Sequence, residues 1–137
     1  MQEKIGNITL DYTFYPGEDF YCDGAIEDRI LEIVKEKDKI EYNEVIKAEG
    51  SWPILYHLSE ERGNIVRWIP MEKDAKVLEV GSGCGAITST LAKMAGSVSC
   101  IDLSKKRSYI NVFEITHMNI YIILLFISIC IDITTLL

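Results

Sequence analysis

The run Glu79-Val80-Gly81-Ser82-Gly83-Cys84-Gly85-Ala86 constrains this chain more than any other part of it. Lys76 to Val80 reads as a short apolar strand, Ala86 to Ala95 as a helix, and Ser97 to Ile101 as a second strand closing on Asp102. Strand, glycine turn, helix and strand make a βαβ unit, the building block of a doubly wound parallel sheet. Glycines at 81 and 83 permit a tight turn and let backbone amides approach a ligand with no Cβ in the way. Gly85 lets the helix pack close to the strand. The start of the helix adds unpaired amides and partial positive charge. Asp102 stands 17 residues after Gly85 (102 − 85), where an acid can accept both hydroxyls of an adenosine ribose. The expected fold is α/β, an incomplete Rossmann-like sheet, and the expected ligand is an adenosine cofactor.

Three cofactors compete for such a turn. A nucleoside triphosphate loop needs Lys followed by Ser or Thr after its last glycine, and this turn continues Ala86-Ile87-Thr88, which rejects it. A dinucleotide fold would accept Gly81, Gly83 and Ala86. Glu79 is the discriminator: a carboxylate two residues before the first glycine repels a pyrophosphate. S-adenosylmethionine (SAM) carries no phosphate and brings a cationic ammonium and sulfonium, so electrostatics favours it.

The stretch from Val77 to Gly85 resembles motif I of the class I SAM-dependent methyltransferases. Cys100-Ile101-Asp102-Leu103-Ser104 resembles their acidic loop. Upstream, Tyr56-His57-Leu58-Ser59, Arg62, Asn64-Ile65 and Trp68 are similar to the helical lead-in of a bacterial branch associated with cell-surface polysaccharide genes. The resemblance covers roughly residues 50 to 111. It implies that Gly81, Ser82, Gly83 and Gly85 form the cofactor turn, with Gly81 and Gly83 lining the methionine part of SAM. It also implies that Glu79 helps hold the ammonium through the turn, Asp102 binds the ribose and Leu103 packs on adenine. Asp102 as a helix cap is the competing role for that residue. Arg62 has two readings, a ligand of the cofactor carboxylate or a solvated helix position, and the second is preferred. His57 likewise reads as a base near the acceptor or, preferentially, as a structural histidine. No residue is assigned as catalytic.

Residues 1–70 form a lead-in. Ile8, Leu10, Tyr12 and Phe14 alternate within residues 5–15, the period of a half-buried strand, and Pro16-Gly17 marks a turn. Ala25 to Lys37 has the apolar spacing of an amphipathic helix. Glu41 to Ala48 predicts a second helix stopped at Gly50. Ser51-Trp52-Pro53 breaks the pattern, and Ser59 starts a third helix whose apolar face is Ile65, Val66, Trp68 and Ile69, ended by Pro70. Tyr12, Tyr15 and Tyr21 read as packing residues, and Asp19 and Asp23 as turn residues.

Charge is divided unevenly. Residues 1–74 hold 17 of the 21 acids and 9 of the 14 bases, net −8, leaving 4 acids and 5 bases, net +1, in residues 75–137. Lys105, Lys106 and Arg107 are the one basic cluster, too small a face for nucleic acid, which is not an expected partner. Cys22, Cys84, Cys100 and Cys130 lack Cys-x-x-Cys spacing and suit a reducing cytosol, and His57 and His117 are too few and too far apart to suggest zinc, so no metal is expected. The N-terminus has no secretory signal, and a cytoplasmic location is expected.

Residues 71–111 carry the SAM-binding unit, and residues 112–137 depart from the family. That tail has no Lys or Arg and eight isoleucines between Ile115 and Ile133. Ile120 to Leu137 has one charge, Asp132, and is just long enough for a short transmembrane helix, against which stand that acid and the missing basic flanks. A frameshifted or truncated gene is the preferred reading, since an AT-rich gene out of frame yields Ile, Asn, Leu, Phe and Tyr. The chain is then the first half of a methyltransferase, with only two strands of the sheet, both faces largely uncovered, and none of the usual acceptor pocket. The acceptor expected of the full enzyme is a small molecule or a cell-surface saccharide. The alternatives are a NAD- or nucleotide-binding oxidoreductase fragment and a non-catalytic membrane-anchored or interaction protein.

Overall fold

The computed structural model describes residues 1–19, 21–36, 41–116 and 121–126, the last as a backbone strand. Its elements run β1 (Gln2–Ile5), β2 (Ile8–Asp11), α1 (Ala25–Lys35), α2 (Tyr42–Glu49), α3 (Trp52–Leu58), a 3-10 turn (Glu60–Gly63), α4 (Asn64–Arg67), β3 (Lys76–Val80), α5 (Thr88–Met94), β4 (Ser97–Asp102), α6 (Lys105–Ile115) and β5 (Tyr121–Phe126). One sheet holds all five strands in the order β1-β2-β5-β4-β3. Strands β3, β4, β5 and β2 are mutually parallel, and β1 is antiparallel at one edge.

The expected βαβ unit is β3-α5-β4, with Val77 opposite Val98 and Glu79 opposite Cys100. Two expectations need correction. The sheet does not stop at two strands: β5 lies between β4 and β2, with Ser97 opposite Tyr121 and Ile8 opposite Ile122. Tyr121 to Phe126 is an unbroken apolar run of strand length, the composition of a strand inside a parallel sheet. These six residues are therefore strand and not the start of a membrane helix; the rest of the proposed span, 127–137, and Ile120 lie outside the described residues. Among the described residues no helix is long and apolar enough to cross a membrane.

Nor are both sheet faces bare. Ile8 and Leu10 of β2 and Val98 and Cys100 of β4 point the same way and are buried with Leu91 and Ala92 of α5 and Val112 and Ile115 of α6. Burying each of the Val, Leu and Ile side chains in this set contributes about 1.5–3 kcal/mol. A second core lies on the far side of α6, where Ile110 meets Ile30, Ile33 and Val34 of α1, Ile54 and Leu58 of α3, and Cys84 of the glycine turn. The amphipathic helix α1 thus shares a core with Cys84 of the glycine turn. The opposite sheet face stays open along β3, where Val80 is 65% exposed.

Local chemistry explains the remaining differences. Residues 5–15 are not one strand, because Gly6 (φ 59°) and Asn7 form a two-residue hairpin turn between Ile5 and Ile8. Glycine at the first central position of such a turn matches the twist of the flanking strands. Pro53 does not break a helix but lies in the first turn of α3, where its missing amide hydrogen costs nothing. Ser59 makes no capping bond, and the helix expected after it becomes a 3-10 turn followed by the single turn α4. Of its apolar face only Val66 packs on the sheet core, while Ile65 and Trp68 are exposed. Gly50 ends α2 in the left-handed conformation as expected (φ 58°, ψ 21°).

Candidate functional site

Strand β3 delivers the chain into the glycine turn at the carboxyl edge of the sheet, and β4 ends beside it. The amides of Gly81 and Ser82 donate to the Ile101 carbonyl at 2.8 and 3.2 Å, which folds the turn back over the end of β4. Gly81, Gly83 and Gly85 have φ of 76°, 55° and 94°, in the region that L side chains rarely adopt. Their surroundings differ. A Cβ on Gly81 or Gly83 would point into open space, whereas one on Gly85 would strike the Asn111 side chain of α6 and lie 3.3 Å from its Cα. The first two glycines leave room beside the turn; the third permits close packing of α6 through Asn111, where the sequence suggests packing of the following helix on the strand.

Asp102 closes the site. Its Oδ2 accepts from the Gly83 amide at 2.8 Å and its Oδ1 accepts from the Ser104 amide at 2.9 Å. A carboxylate oxygen can accept more than one hydrogen bond, so both oxygens retain capacity for ribose hydroxyls. Leu103, 39% exposed, presents an apolar surface next to it. Ser82 Oγ is buried in the turn and is without a hydrogen-bond partner among the described residues. The helix-cap role considered for Asp102 falls instead to Ser104, whose hydroxyl accepts from the Arg107 amide at 3.2 Å.

Glu79 faces the helix side of β3. Its Oε2 accepts from Thr88 Oγ1 at 2.6 Å and from Cys100 Sγ at 3.5 Å, and Asn111 Nδ2 in turn donates to Thr88 Oγ1 at 3.0 Å. Burial pushes the Glu79 carboxyl above the usual range, against the opposing pull of the Thr88 and Cys100 hydrogen bonds. These bonds tie the Glu79 carboxyl to Thr88 at the start of α5 and to Cys100 of β4. Burial raises the Cys84 thiol to about 12, which leaves it an unreactive core group.

Neither lead-in candidate reaches the turn by a hydrogen bond. The Arg62 guanidinium stacks on the Tyr56 ring at 3.8 Å and donates to the Tyr56 carbonyl at 3.2 Å. His57 is half-buried, its pKa lowered first by desolvation and then by the charge of Arg107, and it packs edge-on against Tyr56. His117 lies outside the described residues.

The largest feature missed by sequence reasoning is the segment before α1. Asp19, expected as a turn residue, sits over the N-terminus of α6. Its carboxylate accepts from the amides of Lys105 (2.7 Å) and Lys106 (3.1 Å), from Ser104 Oγ (3.1 Å) and from the Tyr15 hydroxyl (3.1 Å). Asp23 pairs with Arg107 Nη2 at 2.6 Å, and the fully buried Glu27 accepts from Arg107 Nε at 2.6 Å. The basic cluster is spent internally, because Lys106 also pairs with Asp28 and Lys105 lies over the rings of Tyr12 and Tyr15. A cap supplied from 85 residues away leaves no local spacing to read.

Comparison with known proteins adds a resemblance to this geometry. Residues 57–120 match the sequence model of the protein-L-isoaspartate(D-aspartate) O-methyltransferases, and over this stretch the chain resembles the class I SAM-dependent methyltransferases. No curated protein matches the chain. Similar solved structures include phosphoethanolamine N-methyltransferase 1 of Haemonchus contortus, in complex with phosphoethanolamine and S-adenosylhomocysteine (20% identity, TM-score 0.49, covering 79% of this chain and 22% of that one). YjhP from E. coli is similar at 16% identity and TM-score 0.42, covering 72% and 36% of the two chains. A SAM-dependent methyltransferase from Leishmania major is similar at 17% and 0.41, covering 74% and 40%. The chain spans less than half the length of each of these three.

Proposed function

We propose that the carboxyl edge of β3 and β4 binds SAM and that the chain contributes this cofactor half to a methyl-transfer enzyme. The observation that carries the reading is the hydrogen bond from the Gly83 amide to Asp102, which joins the glycine turn to the acid of the next strand beneath open space at Gly81 and Gly83. The residues suit SAM in three respects: a turn without Cβ atoms on its ligand side, an acid with spare lone pairs for the ribose, and an apolar Leu103 for adenine. Glu79 adds negative charge beneath the turn, which favours the cationic methionine end of SAM over a pyrophosphate.

When bound, SAM would supply an electrophilic methyl group on a sulfonium for in-line transfer to an acceptor nucleophile; the carbon–sulfur electron pair would stay on sulfur, and a hydroxyl or amine acceptor would also give up a proton whereas a carboxylate would not. This chain's own contribution is positioning. Gly81, Ser82, Gly83 and Gly85 set the backbone of the turn, Asp102 orients the ribose, and Thr88 and Asn111 hold Glu79 in place. Fixing the reacting groups in line accounts for a large share of the rate in such transfers.

Titration with S-adenosylhomocysteine and with NADH tests the reading. Saturable binding of the first, weakened at least tenfold in Asp102→Ala, is expected; binding of NADH alone would assign the site to a dinucleotide. The acceptor expected from the lead-in is a small molecule or a saccharide, and the family model's description adds the isoaspartyl carboxylate of a protein. Transfer of labelled methyl to a panel of all three separates them.

A further inference from the structure

Asp19 belongs to no part of the cofactor site by sequence, yet it is tied to that site by a continuous path of hydrogen bonds. Its Oδ2 accepts from Ser104 Oγ, the Ser104 amide donates to Asp102 Oδ1, and the Gly83 amide donates to Asp102 Oδ2. Ser104, fully buried, is the shared element. Its hydroxyl also receives the Arg107 amide and so caps α6, while Asp19 takes the next two free amides of that helix, Lys105 and Lys106. The first turn of α6, the Asp102 loop and the glycine turn are therefore held by one set of bonds that Asp19 joins from the N-terminal segment. Arg107 anchors the same N-terminal segment again through Asp23 and Glu27.

We infer that Asp19 is a positioning residue for the adenosine end of the cofactor: through Ser104 it fixes the Asp102 carboxylate against Gly83, so that Tyr15, Asp19, Asp23 and Glu27 act as a strap that pre-shapes the ribose site. Removing the Asp19 carboxylate leaves the Ser104 hydroxyl and two helix amides without their acceptor. The least costly relaxation is a shift of the β4–α6 turn, which carries Asp102 with it. A mere helix cap would disturb Lys105 and Lys106 only; a positioning residue also releases Gly83, which it never touches.

The inference rests on the proposed SAM site for its consequence but not for its test. Amide hydrogen exchange in the free protein is measured for wild type, Asp19→Ala and the milder Asp19→Asn, which keeps one acceptor oxygen. The expected result is at least a tenfold loss of Gly83 protection in Asp19→Ala and a smaller loss in Asp19→Asn, with Val98 and Cys100 in β4 unchanged. Unchanged Gly83 protection in both variants overturns the inference, and so does a uniform loss that includes Val98 and Cys100, which makes Asp19 a general stability determinant. S-adenosylhomocysteine affinity is then measured in Asp19→Ala, Asp102→Ala and the double variant. Several-fold weakening by Asp19→Ala that vanishes in the Asp102→Ala background is expected, and independent, multiplicative losses contradict it. If wild type fails to bind S-adenosylhomocysteine, the proposed function fails while the exchange result still decides the role of Asp19.

Discussion

Alanine at Gly83 and at Gly85 should separate ligand space from packing. Both glycines have positive φ, 55° and 94°, so a side chain at either costs about 1–2 kcal/mol of backbone strain. At Gly83 that is the whole cost to the fold, because its Cβ meets no atom within 4 Å. At Gly85 the Cβ lands on Asn111, 2.9 Å from Cγ and 3.3 Å from Cα, and overpacking of this kind adds about 1–3 kcal/mol. The expected losses are therefore about 1–2 kcal/mol for Gly83→Ala and about 2–5 kcal/mol for Gly85→Ala. A domain of this size loses about 3–6 °C in Tm per kcal/mol, so the first variant melts about 3–12 °C low and the second about 6–30 °C low. Cofactor affinity runs the other way. The Gly83 methyl occupies the space above the turn and should weaken S-adenosylhomocysteine binding at least tenfold, about 1.4 kcal/mol. Thermal melts and calorimetric titration of both variants provide the test, and Asn111→Ala in the Gly85→Ala background should restore part of the lost stability. Equal melting losses, or wild-type affinity in a folded Gly83→Ala, would refute the assignment of ligand space to one glycine and packing to the other.

Other perturbations probe the supports of the site. Arg107→Met leaves Glu27 buried without its cation and should cost about 3–5 kcal/mol, whereas Glu27→Met with Arg107→Met should recover most of that in denaturant melts. Acid should loosen the strap. Burial works to raise the Asp19 and Glu27 carboxyls, but hydrogen bonds from Lys105, Lys106 and Arg107 outweigh it and hold both below their ordinary values of 3.8 and 4.5. Their stabilisation is complete above those values and is lost as pH falls through the lower folded ones, so Tm should drop in that acid range, and less steeply in Asp19→Asn. His57, lowered chiefly by burial, adds an earlier decline that starts as pH falls below 6.5 and should be absent in His57→Gln. Thr88→Val removes the bridge between Asn111 and Glu79 and should cost about 1–3 kcal/mol in the same melts.

Where a feature is local in sequence it was legible. The glycine turn, its two flanking strands and Asp102 follow from spacing along 27 residues (76–102), because a strand–turn–helix unit imposes its own residue types. α1 and the end of α2 at Gly50 were legible for the same reason. Other features depend on partners distant in the chain. β5 carries a strand's composition, but its place between β2 and β4 is a matter of pairing across more than a hundred residues, and an isoleucine-rich run reads equally as a membrane segment or out-of-frame sequence. Asp19 and Arg107 look like a turn acid and a surface cation until the strap brings them to α6. Trp68 and Ile65 show the converse, since apolar spacing promised burial that no described element supplies. Pro53 carried a signal that was available: proline in a first helical turn starts a helix as readily as it breaks one.

The central claim is that the Gly83–Asp102 pair marks a SAM site, and calorimetric titration of the folded chain with S-adenosylhomocysteine, alongside Asp102→Ala, tests it most directly. The account predicts saturable binding with one ligand per chain in wild type, at least a tenfold loss in Asp102→Ala and no response to NADH. Binding of NADH without any response to S-adenosylhomocysteine, or affinity for S-adenosylhomocysteine untouched by the loss of Asp102, would contradict it.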